Sequence, residues 1–300
     1  YFMLWRNRPS VIIGKHQNAQ QEVNLLYAEQ HHIPVVRRLS GGGAVYHDLD
    51  NLNFTFIVQG MVPELSMARF AAPLLAACRR FGIHARVEGR NDVTVDGKKI
   101  SGNARYMENG RTMHHGTILL KTDAETMSQV LQVSEDKIRS KGVSSVKSRV
   151  TSLSACAGYP IGPEEFGSVL RKEVFGTASP RTYAWTEADL AQAEQLKKRR
   201  YETWEWNVGT FPLYEVTRAR RIEGCGTVEA GFSVLGGRIS EISLRGDYME
   251  SAPVSELEEQ LQNCQLELGA LESYLKSVHP EQYICGLTAG VLARLLCGLL

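Results

Sequence analysis

Hydrophobic and polar positions alternate at short range through the first third of the chain. FMLWR and SVIIG are two short β-rich runs separated by the polar Asn7-Arg8-Pro9, and they predict a pair of strands. In NFTFIV the residues Phe54, Phe56 and Val58 fall on one face, the signature of a sheet covered on one side. The cover is predicted as a helix over 64–81, where Ala68, Ala71, Leu74, Leu75, Cys78 and Phe81 recur at helical spacing. Pro73 should kink or delay that helix, and Gly82 should end it. Thr122-Asp-Ala-Glu has the form of a capping box and opens a further helix that turns Met127, Val130 and Leu131 inward. Beyond the loop YPIGPEEFG, another helical segment and a helix over roughly 186–202 are expected, ending in KKRRY and followed by WEWN. From residue 214 the texture changes to two or three strands joined by Gly-Gly, and 253–300 then reads as helices. Strands and helices in separate blocks predict an α+β fold. We expect a larger domain over 1–208, a mixed sheet flanked by helices, and a small α+β domain over 214–300, with a hinge around 208–214.

Composition narrows the chemistry. Of 300 residues, 34 are Lys or Arg and 33 are Asp or Glu, a net charge of +1, so no global field draws the protein to nucleic acid or an anionic membrane. The six cysteines form no CxxC pair and the eight histidines no HExxH, which points to reduced thiols, a cytoplasmic setting and no dedicated zinc site. No long uncharged apolar run marks a membrane span, and YFMLWRNRP lacks the form of a signal peptide.

Any basic site is therefore local, and two stretches qualify. RRLSGGGAVYHD places three glycines between Arg37-Arg38 and a β-rich segment. Such glycines either make a flexible turn or bring backbone N–H groups close to an anion. Alternation sends Arg37 and Arg38 to opposite faces, so at most one reaches a ligand there. No GK[ST] follows, and AVYH continues as strand, which argues against a Walker A loop or a dinucleotide fingerprint. The second stretch is GRNDVTVDGKKISGNARY. With Asp96-Gly97 as a two-residue turn, Val95 pairs with Lys98, Thr94 with Lys99, Val93 with Ile100 and Asp92 with Ser101. Val93, Val95 and Ile100 then share a core face with Lys98 at its rim. Asp92, Thr94, Lys99 and Ser101 share a polar face, which meets either solvent or a ligand. Lys137, Arg139, Lys141, Lys147 and Arg149 form a basic run, either a solvated surface or a contact for phosphate or an acidic partner.

RRLSGGGAVYHDLDN, GRNDVTVDGKKISGNARY, HHGTILL and KGVSSVKSRVTSL, in this order and supported by WRNRPSVIIGKHQN and WEWN, resemble the motifs of lipoate-protein ligase A, in the wider family of biotin protein ligases and octanoyltransferases. The resemblance spans nearly the whole chain. It implies a biotin/lipoate ligase-like catalytic domain and a two-step reaction: lipoate attacks the α-phosphate of ATP to give lipoyl-adenylate, and a lysine of an acceptor domain then attacks the adenylate. Carried onto this sequence, it assigns Lys99 to contacts with both lipoate and nucleotide, and Arg38, Gly43, Ala44, Val45 and Tyr46 to ATP. It places His115 and Gly116 beside the acyl group; for His114 and His115 themselves we expect structural roles, with imidazole bonded to backbone, rather than proton transfer. Asp92 is the candidate for holding Mg²⁺, since hard cations take carboxylate oxygen. The implied partners are lipoate and the apo lipoyl domains of 2-oxoacid dehydrogenase acyltransferase subunits and of glycine cleavage H protein, without nucleic acid or membrane.

Three further expectations follow. Family members begin with a strand and helix ahead of the tryptophan-bearing strand, whereas this sequence starts at Tyr1 on that strand. Asp50 stands where glycine is common, and Asp is expected to tolerate a left-handed turn there. An octanoyltransferase of the same fold would instead work through a cysteine thioester without ATP, and Cys156 is the cysteine to test for that role. The C-terminal domain favours the ligase, and the absence of a GRGRxG-like loop disfavours biotin ligase.

Overall fold

The computed structural model describes residues 1–60, 66–121, 123–132, 149–209 and 214–300. The alternating runs become strands β1 (Phe2–Trp5) and β2 (Ser10–Ile13), followed by helices α1 (Ala19–Glu22) and α2 (Leu25–Gln30). Strands β3 (Val35–Arg37), β4 (Val45–His47) and β5 (Asn51–Gln59) come next, then helix α3 (Ser66–Arg80). Strands β6 (Arg86–Glu88), β7 (Asp92–Val95), β8 (Lys98–Glu108) and β9 (Arg111–Leu119) complete a six-stranded sheet ordered β1-β5-β9-β8-β7-β6. All of its pairs are antiparallel. Mixed pairing is confined to a small sheet in which β2 lies parallel to β3 and antiparallel to β4. That small sheet carries the glycine loop, because the loop is the β3–β4 connection.

Helix α3 covers the large sheet together with the helix Pro163–Phe175, burying Phe54, Leu74, Phe166 and Leu170 between the layers. Pro73 lies inside α3 rather than delaying it. Ala68 is exposed, contrary to the spacing argument, and Phe70 takes the inward position. Gly82 ends the segment with φ +73. Helix α4 (Ala124–Val130) is capped by Asp123, whose carboxylate accepts from the N–H groups of Glu125 and Thr126. The cap is thus one residue later than the expected capping box, and Thr122 lies outside the described residues. Met127 and Val130 are buried as expected, and Leu131, at the helix end, is half-buried against the same apolar cluster.

The segment after residue 214 forms β10 (Val216–Ile222), β11 (Gly226–Leu235) and β12 (Arg238–Gly246), an antiparallel sheet with a Gly236-Gly237 turn. It packs on the helices Val254–Leu261, Leu268–Val278 and Ala289–Cys297 around its own apolar cluster, which includes Phe232, Leu257, Leu275 and Leu292. A separate core of this kind is what an independently folding unit requires. Contact with the larger domain runs through the turn after β12. Gly246 N donates to the His16 carbonyl at 2.9 Å, and Gly42 N donates to the Tyr248 carbonyl at 3.0 Å. Glu250 receives Lys15 Nζ at 2.8 Å and His16 Nε2 at 2.7 Å. Of the expected hinge, residues 210–213 lie outside the described residues, as does the basic run from Lys137 to Lys147. None of the described helices is long and apolar enough to cross a membrane.

Candidate active site

The hairpin β7–β8 turns through Asp96 (φ +50) and Gly97 (φ +73), the pair of left-handed residues that a two-residue hairpin needs. Val95 pairs with Lys98 and Thr94 with Lys99, as expected. A bulge then shifts the register, so that Val93 faces Ser101 and Asp92 faces Gly102 rather than Ile100 and Ser101. Ile100 is the extra residue of the bulge. Beside it, Lys99 N donates to the Arg149 carbonyl and Thr151 N to the Lys99 carbonyl, each at 2.9 Å, so a third segment pairs with the outer edge of residue 99.

The bulge leaves Lys99 and Asp92 on one side, with Nζ 2.7 Å from Oδ1. The lysine stem lies across Gly102. A Cβ at residue 102 would stand 2.6 Å from Lys99 Nζ and 2.8 Å from its Cε. A glycine inside a strand marks such a close approach.

The glycine loop is built for three different reasons. A Cβ on Gly41 would stand 2.4 Å from the Tyr248 carbonyl, and Gly42 has φ +93. Gly43 has neither a left-handed φ nor a heavy atom within 4 Å of where its Cβ would be. Nothing described in the chain itself requires glycine at 43, and the space in front of it is open. Arg38 folds back under the loop: Nη2 donates to the carbonyls of Gly41 (2.7 Å) and Gly43 (2.9 Å), Nη1 to that of Ile12 (3.1 Å), and Nε to Ser40 Oγ (3.2 Å). Burial lowers its pKa to about 10, which leaves the guanidinium charged at neutral pH. Arg37, on the opposite face, bonds the carbonyls of Gly14, Lys15 and Gln17 and those of Trp206 and Asn207. It fastens WEWN to the β2–α1 loop.

His115 Nε2 meets Ser40 Oγ at 2.7 Å, and burial followed by the charge of Arg38 pushes its pKa to about 3. His114 meets Asn103 Oδ1 at 3.2 Å and stacks on Phe70, with its pKa lowered to about 4 by burial and then by Arg105. Both imidazoles are therefore neutral, and their bonding partners are side chains rather than the expected backbone. Gly116 is pressed between Phe54 and Asn103, where a Cβ would lie 2.7 Å from each.

Three cavities meet at this point, and Gly43 and Lys99 line all of them. One is a mainly apolar slot of about 330 Å³ between Trp5, Ile12, Val36, Leu39, Met113 and His115, with Arg38 and Gly116 also on its wall. The second, about 620 Å³, runs along Gly43, Ala44, Val45 and Tyr46 and past Asp92 and Thr94. The third, about 1050 Å³, opens between the domains, from Asp92 and Asn103 to Arg221 and Asp247. The structure thus brings together Arg38, Gly43, Ala44, Val45, Tyr46, Asp92, Lys99, His115 and Gly116. Cys156 is not on the described walls of these cavities. It packs at the edge of the large core, with Sγ 3.9 Å from Thr151 Oγ1, so it is not placed to serve as a thioester nucleophile at the junction. Asp50 has no left-handed φ. Its N–H is instead held by the Asp48 carboxylate at 2.9 Å, so a side chain shapes the turn that glycine was expected to serve. Among the described residues no group of three or more His, Cys, Asp or Glu could hold a metal unaided.

Sequence reasoning missed Gly102, Asn103, Thr117 and the accessory-domain side chains on the third cavity. For Gly102 the signal was present, a glycine in the interior of a strand. The accessory-domain residues carry no local signal, because their place follows from how two domains pack.

The description "Lipoyl protein ligase A/B catalytic domain" matches residues 1–175, and "Bacterial lipoate protein ligase C-terminus" matches 211–296. The chain is 38% identical over 292 residues to the lipoate-protein ligase LplJ of Bacillus subtilis, covering 96% of this chain and 88% of that protein. Among solved structures, it is similar to the archaeal bi-partite lipoate protein ligase studied with its E2 lipoyl domain from Thermoplasma acidophilum, with TM-score 0.62 and 33% identity over 72% of this chain and 86% of that one. A lipoate-protein ligase A bound with ATP gives TM-score 0.62 and 29% identity over 70% of this chain and 86% of that one.

Proposed function

The chain belongs to the lipoyl protein ligase A/B family, and we propose that its lipoate-protein ligase activity runs in two steps centred on Lys99 and Gly43, an ATP-dependent activation followed by transfer from the adenylate. Residues 1–208 act as the adenylating and transfer domain, and 214–300 as the accessory domain. The observation that carries this reading is the convergence of an apolar slot and a second, more polar cleft on one lysine and one open glycine.

The acyl chain of lipoate enters the slot, where each buried CH₂ contributes ~0.8 kcal/mol. Its carboxylate then emerges at the Lys99 ammonium. ATP lies along Gly43–Tyr46, its α-phosphate at the same ammonium. Carboxylate and phosphate repel each other in water. A fixed cation between them lowers that repulsion and stabilises the charge that builds on the phosphoryl oxygens during attack. Arg38 supports the glycine loop from beneath, and its charge adds to the positive potential there. Neutral His115 holds Ser40 and the slot wall without entering proton transfer.

Asp92 is one carboxylate on the cleft wall. It fits a Mg²⁺ that takes its remaining ligands from phosphates and water, the usual mode for this ion with nucleotides. In the second step an acceptor lysine of a lipoyl domain attacks the acyl carbon of the adenylate, the C–O bond to phosphate breaks, and AMP leaves. Lys99 again sits beside the leaving phosphate. The archaeal relative's E2 lipoyl domain supports that acceptor class. The test is incubation with lipoate and an apo lipoyl domain, with and without ATP, followed by intact-mass measurement. One lipoyl group added only with ATP is the expected result; the same addition without ATP, or none with it, would overturn the reading.

A further inference from the structure

The slot and the nucleotide cleft account for two branches of the junction at Lys99, and the cavity between the domains is a third. Its described walls carry more cations than carboxylates. Arg90 and Arg149 reach it from the larger domain, and Arg221 reaches it from β10 of the accessory domain. Arg149 is tied to the reactive lysine, since its carbonyl accepts Lys99 N at 2.9 Å.

Three acids, Asp92, Glu223 and Asp247, line the same cavity as these arginines, Lys99 and Arg105. Asp92 is engaged by Lys99. Asp247 Oδ1 accepts from Thr227 N, and its Oδ2 forms an ion pair with Arg221 Nη1 at 3.8 Å, longer than a hydrogen bond. Arg90 Nη2 donates to the Asp247 carbonyl at 3.0 Å. The Nη1 atoms of Arg90 and Arg221 are buried without a hydrogen-bond partner among the described residues. Arg149 has its pKa lowered by burial and then by the charge of Arg221, and raised by Asp92. Two like charges from different domains therefore lie within electrostatic reach of each other. A multiply charged anion between them would relieve that repulsion and meet guanidinium donors.

We propose that Arg90, Arg149 and Arg221 form a subsite for the β- and γ-phosphates of the nucleotide, so that the accessory domain takes part in activation through Arg221. This rests on the ATP-dependent reading above. At the α-phosphorus three groups must diverge: the incoming carboxylate, the adenosine oxygen and the leaving pyrophosphate. Three cavities diverge from Lys99 and Gly43. The bond from carboxylate oxygen to phosphorus forms while the bond from phosphorus to the bridging oxygen breaks. The electron pair leaves with pyrophosphate, whose added charge the three guanidinium groups take up. Once pyrophosphate has left, the same branch is open to the acceptor lysine.

The test uses the full chain and inorganic pyrophosphate. Calorimetric binding is compared for the wild type, Arg221→Ala, Arg221→Lys and Arg220→Ala, the last removing the neighbouring charge on the exposed face of the strand. Melting curves establish that each variant is folded. Arg221→Ala should weaken pyrophosphate about tenfold or more, as expected for one charge-assisted contact. Arg221→Lys should recover part of the loss, and Arg220→Ala should stay within about twofold of wild type. Adenylate formation should fall with Arg221→Ala more than transfer from supplied lipoyl-adenylate does. Equal pyrophosphate affinity in Arg221→Ala and wild type overturns the subsite, and so does an equal loss in both half-reactions. If the wild type binds pyrophosphate through Arg221 yet forms no adenylate, the subsite stands and the ligase reading fails. Normal adenylate formation with no effect of Arg221 removes the subsite and leaves the ligase reading in place.

Discussion

Gly102→Ala keeps the reactive ammonium and changes only where it can lie. The added methyl would stand 2.6 Å from Lys99 Nζ and 2.8 Å from Cε, whereas ordinary contact begins near 3.4 Å, so the ammonium must retreat by about 0.8 Å. Its contact with Asp92, now 2.7 Å, would be lost with it. The backbone at 102 has no left-handed φ, and the nearest obstacle is the far end of a flexible side chain. Stability should therefore hold or rise by about 0.4–1 kcal/mol, the usual gain when an alanine fits a glycine site. Misplacing a catalytic group by about 1 Å can cost on the order of 100-fold, ~2.7 kcal/mol of barrier. The assay is pyrophosphate release from lipoate and ATP at saturating lipoate, beside a thermal melt. A rate within about threefold of wild type in a folded Gly102→Ala protein would refute the idea that the position of Lys99 matters.

Gly43→Ala should fold normally, because its Cβ would meet no heavy atom within 4 Å, yet raise the KM for ATP or lipoate by about tenfold through the space it takes from substrate; unchanged KM values would show that Gly43 is an ordinary turn residue. Cys156→Ser should leave activity within about twofold of wild type, since the thiol lies away from the cavities; complete loss in a folded protein would revive the thioester route. Stability should fall with acid. His47 and His114 have pKa values lowered to about 4 and His115 to about 3, chiefly by burial. The unfolded chain therefore binds protons below about pH 6.5 that the native state refuses. The stabilisation is complete above that pH and is lost toward the folded pKa values, at about 1.4 kcal/mol per pH unit for each histidine. Denaturant midpoints at pH 7.5, 6.5 and 5.0 read this directly, and equal midpoints would contradict it.

The parity of the β7–β8 hairpin was readable because Asp96-Gly97 fixes a two-residue turn, and parity alone puts Asp92 and Lys99 on one face. The bulge at Ile100 was not readable, since no glycine or turn residue marks it, and the segment that pairs with neighbouring Lys99, residues 149–151, lies about fifty positions away in the chain. Charge beside glycines drew attention to the Arg37-Arg38 pair and the loop, and strand alternation separated the two arginines. Neither could show that the Arg38 guanidinium would be turned onto the carbonyls of Ile12, Gly41 and Gly43, which requires knowing how β2 packs beneath them. The same holds for Ala68 and Phe70: helical periodicity gives a stripe, but which edge of the stripe is buried depends on the neighbouring helix and sheet.

Replacing Lys99 by alanine and following pyrophosphate release in a single turnover is the most direct measurement. A folded Lys99→Ala protein should lose about 10²–10³-fold in adenylate formation, ~2.7–4 kcal/mol, the range for one preorganised charge stabiliser. Pyrophosphate appearing at nearly the wild-type rate would contradict the assignment of that ammonium to the junction of lipoate and nucleotide.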